Sequence, residues 1–280
     1  KAHRVSRSMG GNVTLFIFLG LLSAFMVLPL VFVVVNAFKP LNELFVFPPK
    51  YYVINPTLNN FRQLFQIMNG AWMPFSRYLF NTVAITLIGT IGHILLASLC
   101  AYSLSKIPFP GAGAVFQVIV LSLMFSPVAT TVPTYIIMSK IGLVDTLWAV
   151  ILPALQSSLG LYLIKQFLDT LPDTLLEAAR IDGAGEMRLF FRIVMPNLKP
   201  AWLTLGILSI QSLWNIVSPY TYSEELKTLP QALSQIVSAG ISRSGVGSAV
   251  ALLMIVVPIF CFVVAQGNII QTMSTSGMKD

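Results

Sequence analysis

Long apolar runs separated by short polar stretches set the rhythm of this chain. A helix needs roughly 20 mostly apolar residues to cross a bilayer, and six runs approach or meet that length: 13–38, 80–104, 115–138, 147–164, 201–217 and 247–264. The first carries no charge between Asn12 and Phe38. It is too long for a signal-peptide core and no small-residue cleavage site follows it, so it reads as a retained helix. The third is interrupted by Pro127 and Pro133. The pattern predicts an all-α integral membrane protein, a six-span helical bundle occupying residues 1–280 as one domain, without repeat or linker.

Three stretches should lie outside the lipid. In 39–77, Leu58, Phe61, Leu64, Phe65 and Met68 fall at helical spacing and predict a short helix lying on the outer surface. The stretch 218–246 carries Tyr220, Tyr222, Glu224 and Glu225. The third, 165–200, contains EAARIDGAGEMRLFFRIVMP from Glu177 to Pro196, a charged island in an otherwise oily chain. Thr174 with Glu177 fits a capping box that opens a helix, which Asp182-Gly183 should break. A second helix is expected from about Ala184, with Met187, Phe190, Phe191 and Val194 on one face, ended by Pro196 and Pro200.

Lysine and arginine placement gives orientation. Lys1, Arg4 and Arg7 precede the first run and favour a cytoplasmic N-terminus. Six crossings then return the C-terminus, and the loop between runs four and five, to the same side. Over the whole chain the bias is ten basic residues inside against seven outside.

The island resembles the EAA loop of binding-protein-dependent ABC importer permeases, and Asp182-Gly183-Ala184 resembles the carbohydrate branch of that family. Where the family ends in Ile-x-Leu-Pro, this chain has Ile193-Val194-Met195-Pro196. The resemblance extends along nearly the whole chain, through Tyr78-Leu79-Phe80-Asn81-Thr82, Phe109-Pro110-Gly111, Trp214-Asn215 and the tail Gly277-Met278-Lys279. It implies the type I ABC importer fold and a second homologous permease subunit. It also implies two cytoplasmic ABC ATPase subunits, which would hold the ATP and Mg, and an extracytoplasmic solute-binding protein. Carried onto this sequence, Glu177, Ala178, Ala179, Asp182, Gly183, Ala184 and Arg188 would dock the ATPase. The tail 271–280 would reach between the ATPases or fray, and Tyr220 and Tyr222 would contact the binding protein or anchor at the interface.

Polar residues within the runs face protein or water rather than lipid. Thr82, Thr86, Thr90 and His93 form one helical line, and Ser122, Ser126 and Thr130 recur every four residues. Candidate residues of a substrate pathway are Gln211, Asn215, Ser212, Ser126 and Gln156. Large amides one turn apart, as at Gln211 and Asn215, suit sugar hydroxyls as donors and acceptors. The alternative for all of them is hydrogen bonding between helices.

Composition narrows the class. Hydrophobic residues make up 56% of the chain and the mean hydropathy is +0.81, which sets it apart from soluble domains. The net charge of +7 is dispersed over both faces and calls for no nucleic acid. Cys100 and Cys261 read as buried free thiols. No P-loop, HExxH or CxxC occurs, and His93 has no companion ligand, so neither an active site nor a metal or cofactor site is expected on this chain. The reading is a permease in a bacterial or archaeal cell membrane, importing a sugar, and an oligosaccharide before others, by alternating access. The alternatives are a permease for another polar solute, such as glycerol-phosphate or a polyamine, and a membrane scaffold without transport.

Overall fold

The computed structural model describes residues 9–70, 73–238, 240 and 243–276. Among them there is no strand. The basic N-terminal residues Lys1, Arg4 and Arg7, and the tail residues Gly277, Met278 and Lys279, lie outside the described residues.

The helices are α1 (Met9–Ala37), α2 (Leu41–Leu44), α3 (Asn59–Asn69), α4 (Phe75–Lys106), α5 (Ala112–Ser122), α6 (Pro127–Lys140), α7 (Trp148–Leu155), α8 (Ser158–Asp169), α9 (Asp173–Ile181) and α10 (Glu186–Leu189). After a π-helical turn (Phe190–Val194) come α11 (Met195–Asn197), α12 (Lys199–Trp214), α13 (Leu229–Val237) and α14 (Ser244–Ser276). Among the described residues, four helical stretches are long and apolar enough to cross a membrane: α1, α4, the α7–α8 pair and α14. A fifth arises if α10–α11 and α12, which meet at 77°, form one broken span.

The third apolar run is not one helix. α5 stops at Ser122, and α6 opens at Pro127 with Ser126 as its cap, accepting from the Val128 N–H at 3.3 Å. Proline suits a first helical position, where its missing N–H costs nothing. The strict four-residue spacing of Ser122, Ser126 and Thr130 therefore does not make a single polar line. Ser122 instead meets Ser158 on α8, hydroxyl to hydroxyl, at 2.6 Å.

By Cα proximity the chain divides into two compact units, Lys1–Gly70 with Gln235–Leu253, and Ala71–Ser234 with Met254–Asp280. In the first, α1 is exposed along its apolar length, as a lipid-facing helix would be. Its C-terminal end is closed by Asn60 of α3, whose side-chain amide donates to the carbonyls of Ala37 at 2.9 Å and Lys39 at 2.8 Å. Asn60, Leu64 and Met68 form the buried face of α3, while Leu58 and Phe65 are exposed. The helix predicted at 58–68 is present. Its buried face is rotated from the expected one because Asn60 is needed on the inside.

The second unit is organised around α4. Its buried residues run along one side, from Tyr78, Asn81 and Thr82 through Ile85, Thr86, Gly89, Thr90 and His93 to Ala97, Ser98, Ala101 and Tyr102. This stripe is small and polar rather than large and apolar. In lipid the hydrophobic effect does not press helices together, so close approach and interhelical hydrogen bonds must do so. α7, α8 and α12 pack along it. Cys100 falls off the stripe and is exposed, not buried as its residue type suggested. Near the Lys106 end, the stripe merges into an apolar cluster with Ile164, Leu168, Leu176, Leu189, Phe190, Val194, Leu198 and Leu205.

Candidate functional site

The charged island builds a helix–turn–helix. α9 opens one residue before the expected cap: Pro172 precedes it in extended conformation and no side chain caps it. Thr174 is thus inside the helix and the capping box does not form. Asp173 is drawn away by Lys106, whose ammonium lies 2.7 Å from its carboxylate. α9 ends where the sequence indicated. Gly183 has φ +81, in the left-handed region, and its N–H donates to the Arg180 carbonyl at 3.0 Å. The Ala184 N–H reaches back to the Ala179 carbonyl, also at 3.0 Å, satisfying carbonyls at the helix end.

The second helix opens at Glu186, two residues later than expected, behind Gly185. Its inward face also differs. Leu189, Phe190 and Val194 are buried, whereas Met187 and Phe191 are 64% and 51% exposed. The cause is the π-helical turn at Phe190–Val194, which inserts a residue and rephases the face. The helical stretch from Glu186 ends at Asn197, between Pro196 and Pro200, as the sequence indicated; Pro200 opens α12 beyond the 77° bend.

On this loop Glu177, Ala178, Asp182, Gly183 and Arg188 are exposed, and Ala179 and Ala184 are half-buried beneath them. Sequence reasoning passed over Ile181, which is 86% exposed between Arg180 and Asp182. It is one of several exposed apolar side chains on this loop, with Met187 and Phe191. The helical spacing of Leu176 from Arg180 places Ile181 one position off the buried face, which was the available signal.

A cavity of about 390 Å³ lies between α4, α7, α8 and α12. Its polar lining is His93, Ser157, Ser209, Ser212, Ser218 and Tyr220; its apolar lining includes Val150, Leu205 and Leu208. His93 Nδ1 and Ser209 Oγ are 2.8 Å apart. Ser212 and Tyr220 were expected at the pathway or the outer loop; His93 and Ser209 were not singled out for it. The other candidates do not converge here. Gln211 lines a separate cavity of about 240 Å³ with Ile207, Ile210, Pro258, Ile259, Cys261 and Phe262. Consecutive helix residues point about 100° apart, so Gln211 and Ser212 cannot share one wall. The Asn215 side chain turns back to donate to the Gln211 carbonyl at 3.0 Å and ends α12. Gln156 ends α7, and Ser126 caps α6.

At the other end of α4, the loop 218–228 is fastened by polar contacts. Asn81 donates its amide to the carbonyls of Glu225 and Lys227 at 2.8 and 3.0 Å, and Thr82 Oγ accepts the Leu229 N–H at 2.8 Å. Asp145, with φ 60, donates its N–H to the Tyr220 carbonyl at 2.9 Å. Its carboxylate accepts the N–H groups of Tyr222 at 2.8 Å and Ser223 at 2.9 Å, and the Ser223 hydroxyl. The Ser223 hydroxyl, then the two amides, hold the Asp145 carboxyl below the usual carboxylate range. Tyr220 stacks on Tyr135 at 6.5 Å, and Tyr222 is exposed.

Comparison with known proteins agrees with this architecture. Residues 93–275 match the family described as "Binding-protein-dependent transport system inner membrane component". The chain is 30% identical over 201 residues to the Bacillus subtilis polygalacturonan/rhamnogalacturonan transport system permease protein YtcP, covering 71% of this chain and 67% of that one. It is 28% identical over 274 residues to the arabinooligosaccharides transport system permease protein AraQ of Bacillus subtilis, covering 96% of each. It superposes on a chain of a bacterial ABC transporter involved in import of the acidic polysaccharide alginate with a TM-score of 0.79 at 18% identity. That match covers 93% of this chain and 98% of the other, and it shows a shared fold. The chain belongs to the binding-protein-dependent transport family, as one of its inner-membrane permease components.

Proposed function

We propose that this permease imports an oligosaccharide by alternating access, driven by ATP hydrolysis on a separate subunit. Six crossings are formed by α1, α4, α5–α6, α7–α8, α12 and α14, with both termini in the cytoplasm. The loop from Asp173 to Arg188 docks an ABC ATPase through Glu177, Ala178, Ala179, Asp182, Gly183 and Ala184, with Ile181 as an apolar contact and Arg188 beside it. ATP and Mg belong to that partner. A second, homologous permease completes the pathway, and a solute-binding protein delivers cargo at the outer loop, where Tyr220 and Tyr222 lie.

The observation that carries the cargo class is the lining of the 390 Å³ cavity. It consists of serine hydroxyls, a tyrosine and a histidine among apolar side chains, without a carboxylate, lysine or arginine. Hydroxyls that both donate and accept suit a neutral polyol. A phosphate ester or polyamine would enter such a cavity without a counter-charge, at a high desolvation cost. The name of the arabinooligosaccharide permease supports a neutral oligosaccharide; that of the polygalacturonan permease supports an oligosaccharide but, since polygalacturonan carries carboxylates, not its neutrality. The smaller cavity, walled by Pro258, Ile259 and Phe262 around Gln211, is not assigned to the route.

The test has two stages. Affinity capture of the chain in mild detergent from its native membranes, with mass spectrometry, should recover a P-loop ATPase and a second permease. The captured complex, reconstituted with its binding protein, should accumulate neutral oligosaccharides on addition of ATP and should not accumulate glycerol phosphate. Capture of the chain alone, or accumulation of glycerol phosphate in preference, would refute the reading.

A further inference from the structure

The docking loop is not attached to the rest of the second unit by its chain ends alone. Tyr102 and Lys106, one turn apart in the last turns of α4, reach into it from the side. The Tyr102 hydroxyl donates to Glu186 Oε2 at 2.5 Å. Glu186 in turn accepts from Arg180, Nε to Oε1 at 2.9 Å and Nη2 to Oε2 at 3.4 Å. Lys106 Nζ donates to the Leu171 carbonyl and to Asp173 Oδ1, both at 2.7 Å. These contacts pin the loop on both sides of α9. Asp173 is its first residue, and Arg180 with Glu186 spans the turn after its last. Between the two pins the face bearing Glu177, Ala178, Asp182 and Gly183 is left exposed.

The Lys106 contact is asymmetric. The lysine side chain is 5% exposed and its partner Asp173 is 73% exposed. A pair of that kind gains little from attraction alone, but withdrawing the acceptor strands a buried ammonium, and stranding is costly. α9 therefore cannot separate from α4 without a penalty that two freely solvated side chains would not impose. Beneath the pins, Leu176 of α9 packs in the same apolar cluster as Ala97, Ala101 and Tyr102 of α4, so the contact is closed by apolar packing as well as by charge.

α4 also runs the full height of this unit. Its 32 residues span about 48 Å at the rise of an α-helix. It carries His93 in the wall of the 390 Å³ cavity and Asn81 and Thr82 under the outer loop. We propose that Tyr102 and Lys106 are positioning residues that couple the docking helix to α4. A displacement imposed on α9 by a bound ATPase then moves α4, and with it the cavity wall, rather than being taken up by bending of the loop. This rests on the proposed docking role of the loop. It adds which transmembrane helix receives the stroke and through which side chains.

The experiment uses the complete reconstituted transporter and reads ATP hydrolysed per oligosaccharide taken up, alongside ATPase capture. Tyr102→Phe with Lys106→Met should retain capture of the ATPase and raise the ATP-to-sugar ratio about fivefold or more. Lys106→Arg, which keeps a cation within reach of Asp173, should stay near the native ratio. Because the double change alters a buried position, Asp173→Ala with Glu186→Ala removes the same acceptors from their exposed ends and should raise the ratio in the same way. A native ratio in both double variants, or a fall in hydrolysis and uptake in step with lost capture, overturns the coupling role. A native complex without any ATPase overturns the docking reading together with it, whereas an unchanged ratio in an assembled complex overturns the coupling alone.

Discussion

His93 and Gly160 are in direct contact: a Cβ built on Gly160 would run into His93 Nε2, and would lie 2.7 Å from His93 Cε1 and 2.9 Å from Leu205 Cδ1. α8 presents no side chain of its own at Gly160, which leaves room for the His93 imidazole between the helices, where it bonds Ser209 on α12 at 2.8 Å. One glycine thus fixes the meeting of three helices at the wall of the 390 Å³ cavity. Gly160→Ala should destabilise the protein by about 1–3 kcal/mol through overpacking, read as a lower midpoint of thermal unfolding in detergent. Adding His93→Ala should recover part of that loss, since it empties the space the new methyl needs. A midpoint unmoved by Gly160→Ala would show that the crossing can open freely.

Asp145 is the organising acid of the loop 218–228, and its titration should be visible. Its folded pKa is lowered by the Ser223 hydroxyl, followed by the Ser223 and Tyr222 amides. A carboxyl with a lowered folded pKa contributes order that is complete above its unfolded pKa, about 3.9. That order fades as pH falls from there through the folded value. Amide hydrogen exchange at Tyr222 and Ser223 should therefore be slow and pH-normal above this range and accelerate below it. Asp145→Asn keeps a residue tolerant of positive φ but cannot titrate. It should exchange faster at neutral pH and show no extra acid step; an acid step that survives in Asp145→Asn would assign it elsewhere.

Most of the long apolar helices, and the break after α9 in the charged loop, were legible in the sequence because both are written in contrast: long apolar runs against one charged island, and Asp182-Gly183 against the helix before it. What failed to read were features decided by side-chain contacts and backbone turns that spacing alone does not show. Thr174 lies inside α9, which Pro172 precedes in extended conformation, and Asp173 pairs with Lys106, 67 positions away. Met187 and Phe191 looked like an inward face until the π-helical turn at Phe190–Val194 rephased it. Gln211 and Asn215 looked like a pathway pair because both are amides a turn apart. The Asn215 side chain donates to the Gln211 carbonyl, and the 390 Å³ cavity holds Ser212, which the sequence named as a candidate, beside Ser209. Small hydroxyls carry little signal in a membrane helix, where they serve equally as glue between helices.

Gly183 separates backbone strain from contact. Its φ of +81 is costly for any L-residue, about 1–2 kcal/mol, while a Cβ there would meet nothing within 4 Å. Gly183→Ala should therefore loosen the turn modestly, leaving membrane insertion intact and weakening ATPase capture by roughly tenfold at most, in proportion to that strain. Gly183→Asp adds a charge on the exposed face and should abolish capture. Gly185 is the control. Its φ is −72 and its surroundings are also open, so Gly185→Ala should leave capture unchanged. Equal losses at 183 and 185 would mean that the loop's exact turn is irrelevant to docking.

Ser212 and Gln211 give the sharpest functional contrast, because neighbours on α12 face different cavities. Ser212→Phe places a ring in the 390 Å³ space shared with His93, Ser209 and Tyr220. It also removes a hydroxyl that can both donate to and accept from a sugar. Binding of cargo should weaken by at least the worth of one such hydrogen bond, about 1 kcal/mol, with steric exclusion adding to it. Oligosaccharide uptake should then fall about tenfold or more. ATPase capture should stay native, since the docking loop is built from other residues. Gln211→Leu places an apolar side chain among Ile207, Ile210, Pro258 and Phe262, where it fits, and uptake should remain within about twofold of native. If Gln211→Leu stops uptake while Ser212→Phe spares it, the cargo passes through the smaller cavity, and the amide pair rather than the hydroxyl-lined wall selects the sugar.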